Sequence, residues 1–236
     1  MQNTRWEILQ ILKRSGGSTV EELAHALSFA PMTVRQHLAI LERDGLVTTR
    51  ENRKGPGRPS HVYSVSPQGE ELFPKGYQRL AERLLREISE LPNEEIEHLS
   101  AQEKLEHIME RMADRVADEY KAEVQGDTLA ERVETVTALL GEREGTLSEW
   151  TQTEAGFQIQ DINCPFQKIA AAEPALCVWH LRLLTRLLQA DVDMENCMAS
   201  GDSCCLYQVQ DTSAISAREV GLPLVPVHAL RSEVTP

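Results

Sequence analysis

The chain has no cysteine in its first 163 residues and no run of about 18 uncharged apolar residues, and it is short of positive charge. The missing apolar run excludes a spanning helix. The opening Met1-Gln-Asn-Thr-Arg-Trp-Glu7 forms no apolar signal core, so a cytoplasmic protein with no membrane partner is expected. Glycine and proline fill only 24 of 236 positions, too few for a low-complexity chain. No G-x-x-x-x-G-K-[ST] loop, nucleophile elbow or dinucleotide fingerprint occurs, which leaves kinase, hydrolase and dehydrogenase chemistry without a motif, and no enzymatic activity is expected.

The shortage of basic residues is uneven. Lys and Arg number 24 against 37 Asp and Glu, a net charge of −13 that argues on its face against binding a polyanion. Residues 1–66, however, hold nine basic and six acidic side chains, a net of +3, which leaves −16 for residues 67–236. Only the N-terminal part has the charge to approach DNA.

That part has the order of a winged helix-turn-helix. Trp6, Ile8, Leu9, Ile11 and Leu12 suit an amphipathic helix over 4–14, stopped by Gly16-Gly17. Ser18 with Glu21, and Thr19 with Glu22, each fit a capping box that starts a second helix, with Leu23 and Leu27 on its buried side. Pro31 suits the first position of a third helix, where Val34, Leu38 and Leu41 recur at i, i+4, i+7. Met32, Thr33, Arg35, Gln36 and Ala39 then point outward, with His37 on the flank of the stripe. Two short strands, 46–50 and 61–65, enclose the basic tip Asn52-Arg-Lys-Gly-Pro-Gly-Arg-Pro59. In such a unit the third helix addresses the major groove and the tip lays cations along phosphates. Thr33, Arg35, Gln36 and His37 are the candidate groove residues, and Arg53, Lys54 and Arg58 the candidate phosphate contacts.

Residues 67–126 are acidic and helical, with Leu72, Tyr77, Leu80, Leu84, Leu85 and Ile88 before Leu91-Pro-Asn93, and Leu105, Ile108, Met109, Met112 and Val116 after it. Stripes of this kind fold onto their own chain or pair with a second copy. A homodimer on a palindromic operator is expected, because a two-fold protein doubles the phosphate contacts. Residues 127–211 change period: a helix over 128–141, a hairpin over 146–162, a Leu-rich helix over 174–189 and strands at 192–197 and 205–209 predict a small α+β domain. Residues 212–236 have no clear period and read as a tail. The expected fold is therefore mainly α with a smaller α+β part, divided at 66/67, 126/127 and 211/212.

All five cysteines, 164, 177, 197, 204 and 205, fall in the α+β part, and none forms the C-x-x-C knuckle of a zinc ribbon. The odd count argues against a disulfide framework.

Two sets of motifs resemble known regulators. Thr33-Val-Arg-Gln-His-Leu38, Gly57-Arg-Pro59 and Tyr63-Ser-Val-Ser-Pro-Gln-Gly69 resemble the DNA-binding half of bacterial ArsR/DeoR-like winged-helix regulators. Asn163-Cys-Pro-Phe-Gln-Lys-Ile-Ala170, Glu173-Pro-Ala-Leu-Cys177 and Gly201-Asp-Ser-Cys-Cys-Leu-Tyr207 resemble elements of the SufR-like repressors, which sense iron–sulfur clusters and control the SUF assembly operon. That resemblance implies a [4Fe–4S] cluster on Cys164, Cys177 and Cys205, with His180, Asp202, Cys197 or Cys204 as the fourth ligand. Three thiolates would leave one iron with an exchangeable ligand, a lability suited to a sensor. Two other readings stand beside it: the cysteines as a thiol redox switch or zinc site on the same regulator, and an electron-transfer or cluster-carrying protein.

Overall fold

The computed structural model describes residues 2–52 and 60–210, which form two compact units, 1–74 and 75 onward. The basic tip with Arg53, Lys54 and Arg58, and the tail from 212, lie outside the described residues.

The first unit runs α1 (Gln2–Ser15), α2 (Val20–Leu27), α3 (Pro31–Arg43), β1 (Val47–Asn52), β2 (Ser60–Val65) and α4 (Pro67–Glu70). Of the two candidate boxes at the start of α2, Thr19 with Glu22 closes: the Glu22 amide donates to Thr19 Oγ1 and the Thr19 amide to Glu22 Oε2. Ser18 instead exchanges two 2.9 Å backbone hydrogen bonds with Tyr63, adding one isolated antiparallel bridge beside the β1–β2 hairpin. Gly17 permits that approach, since its φ is 142° and a Cβ there would stand 2.6 Å from Ser64 Oγ. Ile8, Leu12, Leu23, Val34, Leu38 and Leu41 are buried together as the core of the three-helix layer. The unit closes later than the sequence pattern indicates. Ser66 caps α4, a Cβ on Gly69 would stand 2.2 Å from the Leu46 carbonyl, and Phe73 is buried with its ring 4.9 Å from that of Trp6.

The second unit comprises α5 (Tyr77–Glu90), α6 (Asn93–Ile96), α7 (Ala101–Tyr120), α8 (Leu129–Glu144), β3 (Ser148–Thr153), β4 (Gly156–Asp161), α9 (Gln167–Ala170), α10 (Ala175–Leu188), β5 (Asp191–Asn196), a 3-10 turn (Met198–Ser200) and β6 (Cys205–Gln210). The strands form one antiparallel sheet in the order β3-β4-β6-β5. Helix α10 lies at the centre, packed mainly on α7 and also on α8 and β5. Its Leu183, Leu184, Leu187 and Leu188 are fully buried, each contributing about 1.5–3 kcal/mol of apolar transfer.

The expected divisions at 66/67 and 126/127 therefore shift. Met109, Met112, Val116 and Tyr120 of α7 share one core with Trp179 of α10 and Tyr207 of β6, so the α7 stripe folds onto its own chain. On α5, Leu80 joins that core and Tyr77 and Leu84 pack against it, whereas Leu85 and Ile88 are 69% and 59% exposed. Among the described residues no helix is long and apolar enough to cross a membrane.

Candidate functional site

In the first unit α3 presents two faces. Val34, Leu38 and Leu41 point into the core, and the opposite line, Met32, Gln36, Ala39 and Arg43, is exposed. Pro31 at the first helical position pre-sets the backbone without a wasted donor. Among the groove residues read from the sequence, Gln36 lies on the outer line and Thr33 is half-buried beside it. Arg35 is exposed and its Nη2 donates to Glu21 Oε1 at 3.1 Å, so its charge is partly satisfied from α2. His37 is half-buried, with Nδ1 out of solvent and making no hydrogen bond, which turns it toward the core flank.

In the second unit, three cysteines far apart in sequence come together. Cys164 follows β4 in a turn closed by the Gln167 amide on its carbonyl; Cys177 lies in the first turn of α10; Cys205 opens β6 directly opposite Asp161 of β4. All three line one small cavity of about 30 Å³. Asp161, His180, Phe166 and Tyr207 complete much of the wall. His180 Nε2 stands 3.1 Å from Asp161 Oδ2 without hydrogen-bond alignment, and Asp161 Oδ1 accepts from Ser148 Oγ at 2.5 Å.

Of the four candidates for a fourth ligand, His180 alone lines this cavity. Cys197 is buried beside it with Sγ 3.6 Å from Cys177 Sγ. Asp202 is engaged in the turn, its Oδ2 accepting from the Cys197 amide at 2.8 Å, and Cys204 is buried but not in the cavity wall. All five thiols are free of disulfides.

The sulfurs titrate as a group. Hydrogen bonds from the Cys177 and Cys205 thiols hold Cys197 well below the ordinary thiol range against the cost of burial. Cys177 is pushed up by its hydrogen bond to Cys197, then by burial and by the neighbouring Cys197 and Cys164 charges. Cys205 is raised by the same hydrogen bond and by burial. Tyr207 is raised well above the ordinary phenol value, by burial first, and so stands in the cavity wall as a neutral phenol. Among the described residues no three His, Cys, Asp or Glu side chains converge as ligands of one ion.

The motif resemblance pointed to the triplet but not to Asp161, although β4 alternates buried and half-buried positions and Asp161 falls on a buried one. A carboxylate on the inward phase of a strand is the signal that could have found it.

Residues 1–48 match the family described as winged helix-turn-helix DNA-binding, which makes the chain a DNA-binding regulator. Residues 92–210 match the family described as methanogen output domain 1, the segment that holds the cysteine cavity. A riboflavin kinase of Pyrococcus furiosus is 29% identical over 94 residues, 37% of this chain. The match covers 42% of that relative's length. No solved structure matches the chain. With just over half of its residues in that match, behind a winged helix-turn-helix, the chain belongs to the methanogen output domain 1 family.

Proposed function

We propose that this regulator is a homodimeric transcriptional repressor that senses iron–sulfur cluster status through a [4Fe–4S] cluster on Cys164, Cys177 and Cys205, and that it controls iron–sulfur assembly (SUF) genes. The observation that carries the reading is the meeting of those three thiols, from three separate elements, in the wall of one cavity. The donor set fits. Cluster thiolates each bind a different iron and stand apart around a shared space, whereas ligands of a single zinc converge on a point. His180, in the same wall, is the fourth donor the geometry favours.

The cavity of about 30 Å³ has room for about one water, so a cluster requires its loops to open. Cys164 and Cys205 sit at the edges of the 162–166 and 197–204 connections, and these are the segments whose positions would differ with cluster content. A cluster supplies redox lability here; the chain supplies thiolates, which must shed the protons that burial and mutual hydrogen bonding now hold on Cys177 and Cys205.

Anaerobically purified protein is expected to be brown, with iron and broad visible absorption lost in air. Cys164→Ser, Cys177→Ser and Cys205→Ser are each expected to remove most of that colour, and Cys204→Ser to leave it. Colourless, iron-free protein overturns the cluster. Gel shifts on the promoter upstream of its own operon test the switch, and equal affinities of the cluster-bound and cluster-free forms overturn it.

One contact favours a second reading. Cys177 and Cys197 sulfurs stand 3.6 Å apart, in van der Waals contact, against the 2.05 Å of a disulfide. On this reading peroxide takes two electrons from the pair, forming the S–S bond and two waters. Mass spectrometry of unreduced peptides after peroxide treatment of colourless protein would show the 177–197 link, and its absence excludes this switch.

The DNA-binding half carries a smaller expectation. Glu21 holds Arg35 by an exposed pair worth at most about 1 kcal/mol. Glu21→Gln is expected to tighten DNA binding up to about fivefold at low salt, measured by fluorescence anisotropy; unchanged affinity would mean that Arg35 does not reach the duplex.

A further inference from the structure

The outer line of α3 has an unusual composition for a surface that meets a polyanion. Met32, one position past the proline that starts the helix, is 63% exposed, and Phe29, two residues before that proline, is 39% exposed. Among the described residues of the first unit these are two of the three exposed large hydrophobic side chains. The next side chain along the line, Gln36, is a neutral amide with both a donor and an acceptor, and Ala39 follows one turn later. Arg35, the cation nearest the start of the helix, is already engaged by Glu21.

A recognition helix touches base edges with its N-terminal residues. On the major-groove edge the apolar group is the C5 methyl of thymine, and the pattern a carboxamide reads in two hydrogen bonds is the N6–H and N7 of adenine. Exposed apolar surface at this helix start therefore finds a matching surface in DNA only where thymine stands.

We propose that Met32 and Gln36 make this helix a reader of A·T pairs: Gln36 pairs with an adenine edge, and Met32 covers the methyl group of a thymine one or two base pairs away. The spacing suits that division. Side chains at i and i+4 lie about 5–6 Å apart, and stacked base pairs about 3.4 Å. The inference rests on DNA binding through α3 but not on the cluster, and it assigns Met32, which the sequence pattern left outside the groove set, a base-reading role. Thr33, half-buried beside this line, contributes less to discrimination than either.

The test uses the full chain. A random duplex pool is enriched on the protein, and the winning sequence is resynthesised with each thymine replaced in turn by deoxyuridine, which removes one methyl group and nothing else. Loss of one buried methyl contact is expected to weaken the wild type about fourfold per half-site at one thymine position. Met32→Ala is expected to bind the thymine and uracil versions equally, while Gln36→Ala loses roughly tenfold or more of its preference for adenine nearby. Circular dichroism confirms that both exposed substitutions leave the fold intact. Wild-type affinity unmoved by uracil at every position, or uracil sensitivity that persists in Met32→Ala, overturns the proposal. A pool that yields no enriched sequence also overturns it, while salt-dependent binding of the unselected pool reports separately on DNA binding itself.

Discussion

Trp179→Ala is expected to destabilise the second unit by about 3–5 kcal/mol and to lower its melting temperature by roughly 10–20 °C. Trp179 is 1% exposed, its ring meets Phe166 edge-on at 5.5 Å, and the Arg83 guanidinium lies 5.8 Å from its centre. The residue sits between Cys177 and His180 on α10, and Phe166 follows Cys164 by two positions. The same wedge therefore fixes two edges of the cysteine cavity, and alanine would loosen both. Trp179→Phe separates volume from polarity. The indole Nε1 is buried without a hydrogen-bond partner, so phenylalanine leaves a smaller void and also removes an unsatisfied donor. Its cost is expected to be under half that of alanine. Thermal unfolding followed by circular dichroism decides, and an alanine cost under 1 kcal/mol would remove Trp179 from the role of central wedge.

The first unit was more legible in the sequence than the second, and the reason is sequence distance. The α3 stripe, the proline at its start and the Thr19–Glu22 capping box act within one or two turns, so local pattern contains them. Strand alternation and Leu spacing likewise placed α10 and the four strands of the sheet. What an apolar stripe does not contain is the identity of its partner. Met109, Met112 and Val116 read equally well as a dimer seam or as a core face, and only α10 passing alongside makes them core. The partners of the buried carboxylates were illegible for the same reason. Glu87, Glu144 and Asp161 resemble surface acids by composition, and their burial depends on Arg115, Arg83 and His180, which lie 28, 61 and 19 positions away. At the candidate site the motif resemblance pointed to Cys164, Cys177 and Cys205, while the meeting of Asp161 with Cys205 follows from β4 and β6 standing side by side.

Glu144→Ala is expected to cost about 3–5 kcal/mol, because it leaves a buried cation unpaired. The Glu144 side chain is 1% exposed and accepts from Arg83 Nη2 at 2.7 Å, Arg83 Nη1 at 2.9 Å and the Tyr120 hydroxyl at 2.6 Å. Arg83 is only 14% exposed, so little water can replace the lost carboxylate. Glu144→Gln keeps the shape and one acceptor and is expected to cost less. The network also sets a pH dependence. Burial alone would raise the Glu144 pKa, but the Arg83 hydrogen bonds and charge outweigh it, and the net direction is below the ordinary 4.5. A depressed folded pKa gives stability that is complete above the unfolded value and is lost as pH falls through the lower, folded one. Tyr120 acts at the other end: burial and the hydrogen bond to Glu144 lift it from 10.0 to about 12. Between those values the unfolded chain loses its phenolic proton first, so stability falls as pH rises from 10 to 12. Urea unfolding between pH 3 and pH 12 should therefore show a plateau with two falling limbs. Glu144→Gln should flatten the acid limb and Tyr120→Phe the alkaline one, at a cost of about 1 kcal/mol for the lost hydrogen bond. An acid limb as steep in Glu144→Gln as in the wild type would place the acid sensitivity on other carboxylates, with Glu131, whose pKa the Thr128 amide lowers, the next to test.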